Sequence, residues 1–213
     1  MKVKVCGLRN AENIKAVAAL GPDYIGLIRY EPSPRYVSDL DAAGLNDIAE
    51  TILKTGVFVN ESSELVKQTI DNYGLNVIQL HGNESADFAA AFKNKVVVLK
   101  AFGVDENFDF QTLENYVDSV DFFLFDTKTL AHGGSGLSFD WSILNSYNLD
   151  VPFFLSGGLS LDNLHEIARI KHPQFYGVDL NSRFETSPGM KDLEKLKKAF
   201  AIIKQYTTNE IRS

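Results

Sequence analysis

Cysteine is nearly absent from this chain: Cys6 is the sole thiol in 213 residues, so no intrachain disulfide and no multi-cysteine zinc site can be built. The histidines are four, His81, His132, His165 and His172, scattered without ligand spacing, and no metal is expected. Long apolar runs are missing too. No stretch approaches the ~20 residues that span a bilayer, and no charged segment followed by an apolar core opens the chain. No membrane partner is expected, and the cytoplasm is the expected compartment. Positive charge is scarce: 21 Lys and Arg against 28 Asp and Glu leave a net charge of −7, and no basic stripe is written for a phosphate backbone. No nucleic-acid partner is expected, and any anionic ligand must be held by local donors.

What is present is apolar material in short, regularly spaced runs. With 45% hydrophobic and 23% charged residues, the chain has the profile of a soluble globular protein with a sizeable core. β-branched and aromatic runs recur at 3–6, 24–28, 56–59, 77–80, 96–102, 121–126, 151–156 and 175–180. Segments of helical period separate them, at 13–20, 42–53, 64–73, 87–92, 108–117, 141–147 and 161–170. The run from Lys191 to Lys204 reads as a further amphipathic helix with a solvated lysine face. Ser62 and Ser85 stand where helix caps belong.

Such strand–helix alternation predicts βαβ units with right-handed crossovers, and eight of them close into a single-domain (β/α)8 barrel, a TIM barrel, over residues 1–213. A doubly wound open sheet is the alternative. No linker or shift in composition marks a second domain.

In a barrel the chemistry lies where strands end. Here those ends carry Cys6-Gly7, Arg29 to Arg35, Asn60, Gln79-Leu80-His81-Gly82, Lys100, Asp126-Thr127, Ser156-Gly157-Gly158 and Asp179-Leu180-Asn181-Ser182-Arg183. Glycines let backbone N–H groups approach an oxyanion, and the loops after strands seven and eight commonly form a phosphate cup. A phosphorylated small molecule is the expected ligand. Cys6 ends strand one and Asp126 ends strand six, so both should project at the same mouth. Alternation puts Lys4 on the side of Cys6, where a cation would favour the thiolate.

Several of these segments, in this order, resemble the phosphoribosylanthranilate isomerase family. They are Lys4 to Gly7, Ser33 to Ser38, Gly56 to Asn60, Gln79 to Gly82, Asp126-Thr127, Gly133 to Gly136, Phe139 to Trp141, Leu155 to Leu159, Gly177 to Asp179, and Glu185 to Asp192. The resemblance implies an Amadori rearrangement without cofactor or metal, in tryptophan biosynthesis, by a monomer or homodimer. It implies Asp126 as general acid and Cys6 as general base. Arg35 resembles the residue that holds the substrate's carboxylate, and His81, Gly157, Gly158, Asn181, Ser182 and Arg183 are the other substrate-binding candidates.

Two departures stand out. Asn181-Ser182-Arg183 replaces a small residue and glycine, which would let Arg183 contact phosphate directly, and Leu137 stands where a lysine is common. The related isomerase of histidine biosynthesis is an alternative, disfavoured because it uses carboxylates where this chain has Cys6. A non-catalytic phosphosugar-binding barrel is another, disfavoured by the presence of both Cys6 and Asp126.

Overall fold

The computed structural model describes residues 1–38, 43–128 and 139–209; the glycine-rich stretch 133–136 and Leu137 lie outside them. Eight parallel strands close into a barrel in sequential order. They are β1 (Lys2–Val5), β2 (Tyr24–Ile28), β3 (Leu53–Phe58), β4 (Val77–Leu80), β5 (Val97–Val104), β6 (Phe122–Thr127), β7 (Phe153–Leu155) and β8 (Phe175–Leu180). The seam is closed by β1 and β8, with Lys4 opposite Asp179. The doubly wound alternative is thereby excluded.

Period-two alternation sorts the strand residues into two cores. Tyr24, Val77, Leu99, Ala101, Leu124 and Phe154 fill the barrel interior. Val3, Val5, Ile25, Ile78, Phe123, Phe125 and Leu180 face outward against the surrounding helices. Phe125 packs edge-on against Phe110 and Tyr147, with centroids 5.5 and 5.4 Å away. Each buried aromatic of this kind contributes about 1.5–3 kcal/mol of hydrophobic stabilisation.

Capping chemistry sets the helix starts. Asn10 accepts from Asn13 N–H to open α1 (Ala11–Ala18), and α2 is the short Ala43–Asn46. Ser62 accepts from Leu65 N–H before α3 (Ser63–Tyr73), which ends on Gly74 in the left-handed conformation (φ 55°). Ser85 does the same for α4 (Ala86–Ala90).

Three expectations are corrected. Of the helix expected over 42–53, the described residues form only α2, because Leu53 N–H bonds to Asp23 O and starts β3 beside Tyr24. The helices expected at 108–117, 141–147 and 161–170 are 3₁₀ segments, Phe110–Tyr116, Trp141–Ser146 and Leu164–Arg169. Asp109 and Asp140 cap the first two by accepting from the residue two positions on, which suits a tight turn. Finally, Lys191 belongs to no solvated helix face. It sits on β10 (Met190–Lys191), which forms a hairpin with β9 (Glu185–Ser187), and α5 runs only from Leu193 to Asn209. Asn13 explains this: its side chain accepts from Lys191 N–H (2.7 Å) and donates to Lys191 O (3.0 Å), tying the hairpin to α1.

Candidate active site

At the C-terminal mouth of the barrel one cleft is lined by Cys6, His81, Asp126, Gly157, Gly158, Asn181 and Ser182, seven of the nine residues singled out in the sequence. The other two are not on its wall, although Arg35 stands at its rim, where its Cδ would lie 2.7 Å from a Cβ on Gly7. Arg183 is exposed on the 3₁₀ turn Ser182–Phe184 and is no part of the cleft wall. Arg35 forms a bidentate pair with Glu185, Nη2 to Oε2 at 2.8 Å and Nε to Oε1 at 3.0 Å.

Cys6 follows β1 and is anchored by its N–H bonding to Leu180 O (3.0 Å). Its side chain fits because Gly26 on the neighbouring strand has none: a Cβ there would lie 2.6 Å from Cys6 Sγ. Lys4, two residues back, enters the barrel as alternation requires, and its Nζ pairs with Asp179 Oδ1 at 2.9 Å in full burial. Ser156 Oγ–H reaches the other oxygen of Asp179 at 3.4 Å.

Burial pushes the Cys6 thiol above its ordinary range; Lys4 and Lys191 pull it down and Asp179 pushes it up. Desolvation therefore disfavours the expected thiolate. Lys4 acts in the expected direction, but desolvation outweighs it and Asp179 offsets part of its charge. Lys4→Met is expected to destabilise the fold by about 3–5 kcal/mol, since it strands a buried Asp179. It should also move the Cys6 midpoint further up. Denaturant unfolding and the pH dependence of the alkylation rate, which with one cysteine reports Cys6 alone, check both; an unmoved midpoint removes Lys4 from the thiol's electrostatics.

Asp126 lies at the end of β6, with Oδ1 accepting from Thr127 N–H at 2.9 Å. Its Oδ2 is 3.4 Å from His81 Nε2. Gly157 closes over this carboxyl in the left-handed conformation (φ 80°), and a Cβ there would come within 2.7 Å of Asp126 Oδ1. Gly158 is left-handed as well (φ 66°).

A second layer holds these loops. Lys100 is buried in β5, donates to Gly82 O (2.8 Å) and Leu80 O (3.2 Å), and faces Glu84 at 3.4 Å. Glu84 in turn accepts from Asn60 N–H (2.7 Å) and Gly82 N–H (2.9 Å), locking the loops after β3 and β4. On the far side Lys191 bonds to Glu185 (2.7 Å) and Asn181 Oδ1 (2.8 Å). Burial would raise the Glu185 carboxyl, but Arg35 and Lys191 hold it below the usual range. Asp179, Lys191 and Glu185 fall within sequence motifs, but nothing local assigns them these contacts. Alternation places Asp179 inside the barrel, but only the closure of β1 on β8 brings it level with Lys4. Among the described residues no group of three or more His, Cys, Asp or Glu side chains could hold a metal ion. Among them, too, no helix is long and apolar enough to cross a membrane.

The family model described as N-(5'phosphoribosyl)anthranilate (PRA) isomerase matches residues 3–201. N-(5'-phosphoribosyl)anthranilate isomerase of Parabacteroides distasonis is 44% identical over 200 residues, covering 92% of this chain and 90% of that protein. The crystal structure of phosphoribosyl anthranilate isomerase from Thermotoga maritima superposes with a TM-score of 0.86 at 34% identity, over 96% of this chain and 99% of that one. A further isomerase structure, in complex with reduced 1-(o-carboxyphenylamino)-1-deoxyribulose 5-phosphate, gives a TM-score of 0.82 at 30% identity, over 96% and 99%. With the matched model spanning most of the barrel, this chain belongs to the N-(5'-phosphoribosyl)anthranilate isomerase family.

Proposed function

We propose that this protein isomerises N-(5-phosphoribosyl)anthranilate to 1-(2-carboxyphenylamino)-1-deoxyribulose 5-phosphate, an Amadori rearrangement of tryptophan biosynthesis. The observation that carries the reading is one cleft with Cys6 and Asp126, 120 positions apart in the chain (126 − 6), beside the Gly157-Gly158 and Asn181-Ser182 loops.

Asp126 donates a proton to the furanose ring oxygen. The C1–O bond breaks and the aminoaldose opens to a protonated Schiff base. Cys6, as thiolate, then removes the proton from C2, and the electron pair moves into C1–C2 to give the enolamine. Tautomerisation transfers a proton from the C2 hydroxyl to C1 and leaves the ketoamine. Substrate and product are isomers, so the proton gained by Cys6 and the one lost by Asp126 must be exchanged before the next turnover. Acid–base groups in such steps are worth about 10²–10⁴-fold each.

The phosphate is assigned to the loops after β7 and β8, where Gly157 and Gly158 present backbone without side-chain cover. Arg35 is assigned to the anthranilate carboxylate. Its guanidinium already takes a carboxylate in bidentate fashion from Glu185, so binding substrate there is an exchange of one carboxylate for another. Arg183, exposed and off the cleft wall, is given no part in holding phosphate.

The test is the change in anthranilate fluorescence when purified protein meets freshly made phosphoribosylanthranilate. Turnover is the expected result. A folded protein without turnover overturns the reading and sends the barrel to the histidine-pathway aminoaldose or to plain phosphosugar binding.

A further inference from the structure

Three polar side chains form a line across the cleft wall, and of the three only Asp126 enters the proposed reaction. Gln79 and His81, two residues apart on and just after β4, point to the same side. Gln79 Nε2 is 2.8 Å from His81 Nδ1, and His81 Nε2 is 3.4 Å from Asp126 Oδ2. Gln79 is 1% exposed, and its Oε1 is buried without a hydrogen-bond partner among the described residues. A buried amide oxygen left unpaired costs about 1–3 kcal/mol, so a glutamine kept there has a use beyond packing.

We infer that Gln79 is a positioning residue that fixes the tautomer of His81, so that His81 Nε2–H stabilises the Asp126 carboxylate as it forms during ring opening. The inference rests on Asp126 being the general acid. The amide N–H of Gln79 occupies Nδ1, so the neutral imidazole must carry its proton on Nε2, aimed at Oδ2. Thr127 N–H holds the other oxygen at 2.9 Å. When Asp126 gives up its proton, negative charge appears on a carboxylate that already has two donors in place. That interaction strengthens in the transition state, the condition for a rate effect. His81 thus serves the acid, a more specific part than the substrate contact expected from sequence. The geometry makes a histidine ring the spacer that carries orientation from the barrel interior to the reacting group.

The test combines two measurements on the intact protein. ¹⁵N NMR of histidine-labelled protein, with His81→Asn for assignment, should show His81 as the Nε2–H tautomer. Gln79→Met, of similar length but without the donor, should mix the tautomers and lower kcat for phosphoribosylanthranilate about 10–100-fold while KM stays within about twofold, the scale for groups that orient a functional histidine. A wild-type Nδ1–H tautomer overturns the relay, and so does a Gln79→Met variant with undiminished kcat. A wild type that turns over nothing overturns the reaction instead, whatever its tautomer, so the two failures are told apart.

Discussion

Replacing Cys6 with serine is expected to lower kcat for the isomerisation by about two or more orders of magnitude with little change in KM. A hydroxyl fills the niche left by Gly26 at least as easily as sulfur, so folding should survive, but it cannot supply a base comparable to a thiolate. Steady-state kinetics beside wild type settle it, and a Cys6→Ser enzyme within a few-fold of wild type would take the base role away from this residue. The pH dependence gives a second reading. Burial lifts the thiol above its ordinary range, with Lys4, Lys191 and Asp179 as the charges acting on it. The protonated form therefore dominates in the free enzyme at neutral pH, and only the deprotonated form is a base. The wild-type kcat/KM should rise about tenfold per pH unit until the thiol ionises, because that parameter reports the free enzyme. Activity carried by thiolate is gained as pH rises and lost as it falls, and Cys6→Ser should abolish this limb. Gly26→Ala is an independent check that leaves the thiol's chemistry intact. Its new Cβ would sit 2.6 Å from Sγ and 3.1 Å from Cys6 Cα, so the sulfur must move and kcat should fall although the base is still present.

How far such a site could be read beforehand depends on the distance over which its contacts act. Strands announced themselves locally, and seven candidate residues fell on one cleft because each ends a strand or begins the loop after it. Serine caps at Ser62 and Ser85 are local signals and were legible. The fork of Arg35 was not, since its partner Glu185 lies 150 positions away in a hairpin too short to show period. The same holds for Lys4 and Asp179, 175 positions apart and joined only by closure of β1 on β8. Alternation says that Lys4 points inward but not which carboxylate meets it. The sign of the Cys6 shift likewise followed from a sum that sequence does not contain: one favourable neighbour is visible as i−2, while burial and Asp179 come from the rest of the barrel. Lys191 reads as helical because its lysine-rich continuation is helical, and the turn at Pro188-Gly189 that returns β10 against β9 precedes that run and leaves no break inside it.

Asp126→Asn is the other change with a large expected effect, and the line of hydrogen bonds through His81 specifies its consequences. The amide keeps an oxygen for Thr127 N–H and presents an NH₂ to His81 Nε2, donor against donor. The conflict resolves if His81 moves its proton to Nδ1 and Gln79 turns its amide, offering to Nδ1–H the Oε1 that lacks a partner among the described residues in wild type. Every bond in the line is then restored in reverse, so stability should stay within about 1 kcal/mol of wild type. Catalysis should not survive, because an amide has no proton to give to the ring oxygen at neutral pH: kcat is expected to fall by about two or more orders of magnitude. Thermal unfolding, kinetics and the His81 ¹⁵N tautomer measured on one sample separate the possibilities. An intact fold with a reversed tautomer and lost turnover fixes Asp126 as the acid. A kcat near wild type sinks that role, and a large loss of stability instead makes Asp126 a structural anchor for the loops after β4 and β7.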